Sequence, residues 1–197
     1  ERIWQSRTEA AGTFTSIATN HWSLVIWEED GKHFVAIRGP ETQATSAPVP
    51  EDSASFGVIF RLGVYMPDLP VIQLVDDQIQ LPDATRQKIW LNGSAWELPT
   101  YQNVDVFIDR LVRENILVRE PLVESALFNR TMGDVSLRTI QRRFLHTTGI
   151  SHNTILQIER ARNATMLLKN GSSILNTVDA LGYSDQPHLT RSLKRYI

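Results

Sequence analysis

Ile174-Leu175-Asn176-Thr177-Val178-Asp179-Ala180-Leu181-Gly182-Tyr183-Ser184-Asp185-Gln186-Pro187-His188-Leu189-Thr190-Arg191-Ser192-Leu193-Lys194-Arg195 is the stretch on which the reading of this chain turns. Ile174 to Leu181 suits a short helix and Gly182 a turn. Asp185 can cap a second helix that carries Pro187 in its first turn. Helix, short glycine turn, helix is the helix-turn-helix pattern. On the second helix Leu189 and Leu193 point inward, which leaves Gln186, Pro187, Thr190, Arg191 and Lys194 outward.

Upstream, the spacing predicts a helix from His152 to Lys169, with a stripe of Ile155, Ile158, Ala161, Ala164, Thr165 and Leu168 before a Gly171 terminator. Before it, Ser136 is a hydroxyl cap for a helix that places Leu137, Ile140 and Phe144 at i, i+3, i+7 and ends at Gly149. Arg138, Gln141 and Arg142 lie on its other face. Arg pairs in bidentate fashion with guanine, Gln with adenine, and a Thr methyl meets the thymine methyl, all in a major groove wide enough for one helix. Arg143, Arg160, Arg162, Lys194 and Arg195 are candidates for phosphate contact, which positions a protein without reading sequence.

Charge separates this region from the rest. Residues 1–117 carry 9 basic and 16 acidic side chains, net −7, and residues 118–197 carry 11 and 6, net +5, so the total of −2 conceals two opposite halves. All five Trp and seven of the nine Pro lie before residue 118. Zero cysteines exclude a disulfide framework, thiolate metal sites and a cysteine nucleophile, and suit a reducing cytoplasm. No apolar run reaches the roughly 18–20 residues that cross a bilayer, so no membrane role is expected.

The first half reads as strands and turns: Thr13 to Thr19, then Trp22 to Trp27 and His33 to Arg38 joined through Asp30-Gly31, then Phe56 to Leu62, with a short strand at Ile79-Gln80-Leu81. Glu41 to Ser55, with two Pro, reads as a long loop. The expected sum is a β-sandwich or barrel. Trp22, Trp27, Phe34, Phe60 and Trp90 read as core, with an apolar ligand pocket as the alternative. His21 and His33 stand alone, without a His-x-His pair, so no metal is expected. Between the halves, Val104, Phe107, Ile108, Leu111 and Val112 form one face of a helix that Asn103 can cap; it packs on the β half or serves as a dimer surface. A further helix starts near Pro121 and turns Leu122, Val123, Ala126 and Leu127 inward.

Ser136 to Phe144, Thr148-Gly149-Ile150-Ser151 and Ala180 to Arg195 together resemble the DNA-binding domain of AraC/XylS-type transcriptional regulators over residues 118–197. The resemblance implies two helix-turn-helix motifs bridged by the helix around Thr154–Lys169, with base-reading slots at Arg138, Gln141 and Arg142 in the first motif and at Gln186, Thr190 and Arg191 in the second. Leu127 to Asp134 departs from the family's first supporting helix, Val178 replaces a usual Ala, and Pro187 removes a donor from the readout. His188 packs or touches phosphate. The first half is similar to the cupin-like sensor domains of such regulators.

The expected architecture is therefore α+β: a β-rich, cupin-like sensor at 1–98, a linker helix at 99–117 and an all-α DNA-binding domain at 118–197. The expected function is sequence-specific binding of double-stranded DNA by Arg138, Gln141, Arg142, Arg143, Gln186, Thr190, Arg191 and Lys194. A small-molecule effector in the first half and a homodimer through that half or the 103–114 helix are expected partners. Neither a cofactor nor enzymatic activity is expected, since nucleophile elbows, P-loops and zinc-protease motifs are missing from the sequence. The alternative is a small-molecule-binding or enzymatic cupin-like barrel with a helical appendage for protein contacts. With neither an initiating Met nor the family's tail after Ile197, the chain is expected to be most of a regulator rather than all of one.

Overall fold

A computed structural model describes residues 2–29, 31–85, 87–127 and 135–197. Strands β1 (Arg2–Arg7), β2 (Gly12–Ser16), β3 (Ser23–Glu29), β4 (Lys32–Arg38), β5 (Thr45–Val49), β6 (Ala54–Ile59), β7 (Val64–Tyr65), β8 (Gln78–Gln80), β9 (Asp83–Thr85), β10 (Lys88–Leu91) and β11 (Ser94–Glu97) precede helix α1 (Val104–Arg113). A short β12 (Val118–Arg119) then leads into α2 (Pro121–Leu127), α3 (Leu137–Thr148), α4 (His152–Lys169), α5 (Ile174–Leu181) and α6 (Gln186–Tyr196). The fold is α+β. Strands β1-β6-β3-β4-β8 form a five-stranded antiparallel sheet, β11-β10-β9 a three-stranded one, and β2 with β5 and β7 with β12 two ribbons.

Alternation along the central strands sorts the large sheet into two faces. Leu24 and Ile26 of β3, Val35 and Ile37 of β4 and Val58 of β6 turn one way, onto Val71, Leu74, Ile89, Leu91 and Trp96. Helix α1 closes this core with Val104, Phe107, Ile108 and Leu111, each of which stabilises by about 1.5–3 kcal/mol when fully buried. The stripe expected on that helix therefore packs on the β half. Its fifth member, Val112, is 49% exposed. Asn103 stands at the cap position, but its side-chain oxygen accepts from the Thr100 amide at 2.7 Å and not from the helix.

The other face carries two cross-strand rows, Arg2–Ile59–Ser23–Arg38 and Trp4–Gly57–Val25–Ala36. Gly57 leaves room for Trp4, since a Cβ there would lie 2.9 Å from the indole. Strand β2 stands opposite this face across a cleft. The segment 41–55, expected as a loop, contains β5 and the start of β6: Pro48 is tolerated because β5 pairs only with β2, leaving its second edge without a ladder. Strands β1, β9 and β11, rich in polar residues, and the short apolar β10 are not expected from the sequence.

The helical half is seated on the β half by named bonds. The amide of Ala18 donates to the Tyr196 carbonyl at 2.8 Å and that of Ala44 to the Arg195 carbonyl at 2.7 Å, which satisfies acceptors that a helix end leaves open. From α4, Arg162 Nη2 donates to the Ala18 carbonyl at 2.8 Å, and Glu159 Oε1 accepts from Asn20 Nδ2 at 2.8 Å. Ala18 and Val123 lie in one apolar cluster with Phe144, Ile155, Ile158 and Tyr196. Among the described residues no helix is long and apolar enough to cross a membrane.

Candidate nucleic-acid interface

Helices α3 and α6 begin alike. Ser136 Oγ accepts from the Thr139 amide at 3.2 Å, and Asp185 Oδ1 from the His188 amide at 2.6 Å; a cap of this kind contributes about 1 kcal/mol. Gly149 ends α3 and Gly182 ends α5, each in the left-handed region, at φ of 73° and 67°. Ser151 and Ser173 cap α4 and α5 through the amides of Thr154 and Asn176. Of the positions read from the sequence, the Ser136 and Asp185 caps and the Gly149 and Gly182 stops thus fall at the helix ends observed.

The two helices also present the same positions. Counted from the first helical residue, the fourth and eighth turn inward: Ile140 and Phe144 in α3, Leu189 and Leu193 in α6. The first, second, fifth, sixth and ninth are exposed in both: Leu137, Arg138, Gln141, Arg142 and Leu145, against Gln186, Pro187, Thr190, Arg191 and Lys194. Seven of the eight residues expected to read or grip DNA lie among these ten, all but Arg143. Leu137, expected inward, is 77% exposed, because it overhangs the first turn where no described element covers it. Thr190 Oγ1 donates to the Gln186 carbonyl at 3.0 Å, so its hydroxyl is engaged within the helix.

Arg143, Arg160 and Arg162 are placed differently from the sequence reading. Arg143 Nη1 lies 2.9 Å from Oε2 of Glu120, a carboxylate almost wholly buried at the foot of α2. Arg160 stacks 3.8 Å from the Tyr183 ring centre, its Nε and Nη2 buried without a hydrogen-bond partner. Arg162 is turned to Ala18. Arg160 and Arg162 face protein because that side of α4 is packed against its neighbouring helices and the β half, whereas Arg143, on α3, stays half exposed and is tied to Glu120. Lys194 and Arg195 stay exposed. His188 packs, with its ring edge-on to Tyr183 at 5.1 Å and Nδ1 3.1 Å from Ser184 Oγ.

Behind α6 the Tyr183 hydroxyl and Ser192 Oγ form a buried hydrogen bond of 3.1 Å, beside an apolar cluster of Ala164, Val178, Tyr183 and Leu189. Sequence reasoning missed that pair; Ser192 lies on the Leu189 side of the helical wheel, which is the signal that would have found it. The departure expected at Leu127 to Asp134 concerns 128–134 and the Leu127 side chain, outside the described residues.

No family model, curated protein or solved structure matches this chain.

A second concave site lies in the β half. The aromatic residues considered for a pocket do not meet in one: Trp22 stacks on Phe60 at 4.0 Å inside the core, Trp27 stacks on Phe34 at 5.4 Å, and Trp90 is half exposed. A cleft of about 730 Å³ opens instead on the second face of the large sheet, between β2 and Arg162 of α4. His21 stands in it. Burial, then Arg162 and Arg2, push its pKa down to about 4, so the imidazole is neutral at pH 7. Among the described residues no cluster of three His, Asp or Glu could hold a metal.

Proposed function

We propose that the chain is a sequence-specific DNA-binding transcriptional regulator of the AraC/XylS type. In this reading α2–α3 and α5–α6 are two helix-turn-helix motifs, α4 bridges them, and the β half is a cupin-like sensor. The observation that carries it is the matched exposure of five equivalent positions on α3 and α6. Two helices built to one plan, in a basic region, suit two successive major-groove faces about 34 Å apart. The bridging α4, 18 residues and about 27 Å long, is of the right order to space them.

The roles follow from side-chain chemistry. Arg138, Arg142 and Arg191 offer bidentate donors to guanine, and Gln141 and Gln186 both donor and acceptor to adenine. Thr190, its hydroxyl held by its own helix, turns a methyl toward a thymine methyl. Lys194 and Arg195 contact phosphate; Arg143, paired with Glu120, contributes position rather than readout. The protein acts in the cytoplasm on double-stranded DNA, with a small-molecule effector in the β half and a dimer contact through that half.

Mobility shift of the full chain against a promoter library at low and high salt is the test. With five outward cations as the upper bound, the slope of log K against log salt is expected to be no steeper than about −4 to −5 per protomer. Failure to retard any duplex at low salt sinks the reading and leaves the alternative, a ligand-binding β half with a protein-contact appendage. Arg142→Ala and Gln186→Ala are each expected to weaken binding by about 1–3 kcal/mol and to relax preference at one base pair. Equal weakening on all sequences would reassign that residue to phosphate contact.

A further inference from the structure

In a half of the chain where acids outnumber bases 16 to 9, one cleft has the opposite sign. Arg2, Arg38, Arg61 and Arg162 line it against a single carboxylate, Glu41, which already accepts from Ser16 Oγ. Arg2 and Arg61 make no ion pair among the described residues. Arg38 donates to the neutral Gln78 side chain at 3.1 Å, and Arg162 keeps a buried Nε without a partner. Arg2 and Arg38 end one cross-strand row, three strand spacings or about 14 Å apart, so both long side chains can lean over Ile59 and Ser23. Converging cations repel one another unless an anion lies between them.

The walls are apolar: Trp4, Phe14, Ile17, Val25, Ile59 and Phe60. A free inorganic ion would waste that surface, whereas an apolar body would cover it. The floor of the cleft also reaches the DNA-reading half. Ile17 and Thr19 line the cleft, and Ala18 between them is bonded through its carbonyl to Arg162 and through its amide to the Tyr196 carbonyl at the end of α6.

We propose that this cleft binds a small organic anion, a carboxylate or phosphate head on an apolar body, and that the bound anion bears on α6 through Arg162 and Ala18. The head sits among the four guanidiniums, with His21 as a neutral hydrogen-bonding neighbour that adds no further charge. The binding half of the inference stands without DNA; the coupling half rests on the DNA-binding reading.

Calorimetric titration of the full chain, without DNA, with phenylacetate, phenyl phosphate and neutral 2-phenylethanol tests the binding. At least one anion is expected to bind tenfold or more tighter than the alcohol, and the tighter of the two names the head. Arg162→Gln and the exposed Arg61→Gln, with circular dichroism to confirm folding, are each expected to weaken the anion tenfold or more. The imidazole resonances of His21 should titrate at higher pH once the anion is bound, since its charge offsets the arginines. Equal binding of alcohol and anions, or unchanged binding in the folded Arg61→Gln, overturns the proposal. In mobility shift, the saturating anion should change duplex affinity fivefold or more in either direction, and not in Arg162→Gln. Unchanged affinity with the anion bound overturns the coupling alone, whereas failure to shift any duplex overturns the DNA reading and leaves the titration to decide the cleft.

Discussion

Helices α3 and α6 share their caps, length and exposed positions, yet they are held in place by different means. Around α6 the support is internal to the helical half: Tyr183 and Ser192 behind it, Arg160 stacked on Tyr183, and Leu189 against Ala164 and Val178. Around α3 part of it comes from the β half: Gly149 abuts Val71 and His146 meets the Tyr65 ring edge-on at 5.2 Å, while Arg143 pairs with Glu120 at the foot of α2. The backbone bonds from α6 to the β half come from its last residues, Arg195 and Tyr196. One exposed helix face is thus carried on its own scaffold and the other on a partly borrowed one, and perturbing the β half should reach the last turns of α3 but α6 only at its final residues.

The largest expected effects test whether the scaffolds are separable. Phe144→Ala and Tyr183→Ala should each lose about 3–5 kcal/mol of stability in chemical denaturation. Amide hydrogen exchange should then show Tyr183→Ala loosening α5 and α6 while α3 stays protected, and Phe144→Ala loosening the joint cluster with Ala18, Ile155 and Tyr196. Equal loosening of both helices by both substitutions would abolish the distinction.

Next comes pH. The folded pKa of His21, about 4, lies below the ordinary value of 6.5, so the unfolded chain binds the proton more readily. Stability from this group is complete above about pH 6.5 and is lost as pH falls toward 4, by roughly 2–3 kcal/mol. Thermal melts from pH 7 to 4 should show that fall, and His21→Gln should flatten it.

The glycines give a smaller, sharper contrast. Gly149→Ala meets both a left-handed backbone and the Val71 carbonyl at 2.9 Å, and should destabilise by about 2–3 kcal/mol. At Gly182 a Cβ meets nothing within 4 Å, so Gly182→Ala should show backbone strain alone, about 1 kcal/mol. Smallest is Glu120→Gln, which weakens the partly exposed pair to Arg143 by up to about 1 kcal/mol and should speed exchange nowhere in α6.

The helical half was legible because its signals are local. Ser136, Gly149, Gly182 and Asp185 act within a few residues, and each ended or began a helix where expected. Helical periodicity named the inward residues but cannot say which polar faces another part of the protein covers; hence Arg160 and Arg162 read as phosphate contacts although both face protein. In the β half the partners are distant. The row that places Arg2 near Arg38 exists only through the pairing of β1 with β6 and of β6 with β3, which no local spacing announces. One local signal there was missed: Asn92-Gly93, with φ of 50° and 72°, turns β10 into β11.

The bond between Ala18 and Tyr196, together with that from Arg162 across 144 residues, closes a loop around nearly the whole described chain. Closing a loop that long costs entropy that only prior collapse can reduce. The clasp therefore forms after both halves are built, and native contacts of such long range predict slow folding for a chain this rich in local helices. In a stopped-flow experiment it belongs to the last phase, as the latch fastened once the walls stand.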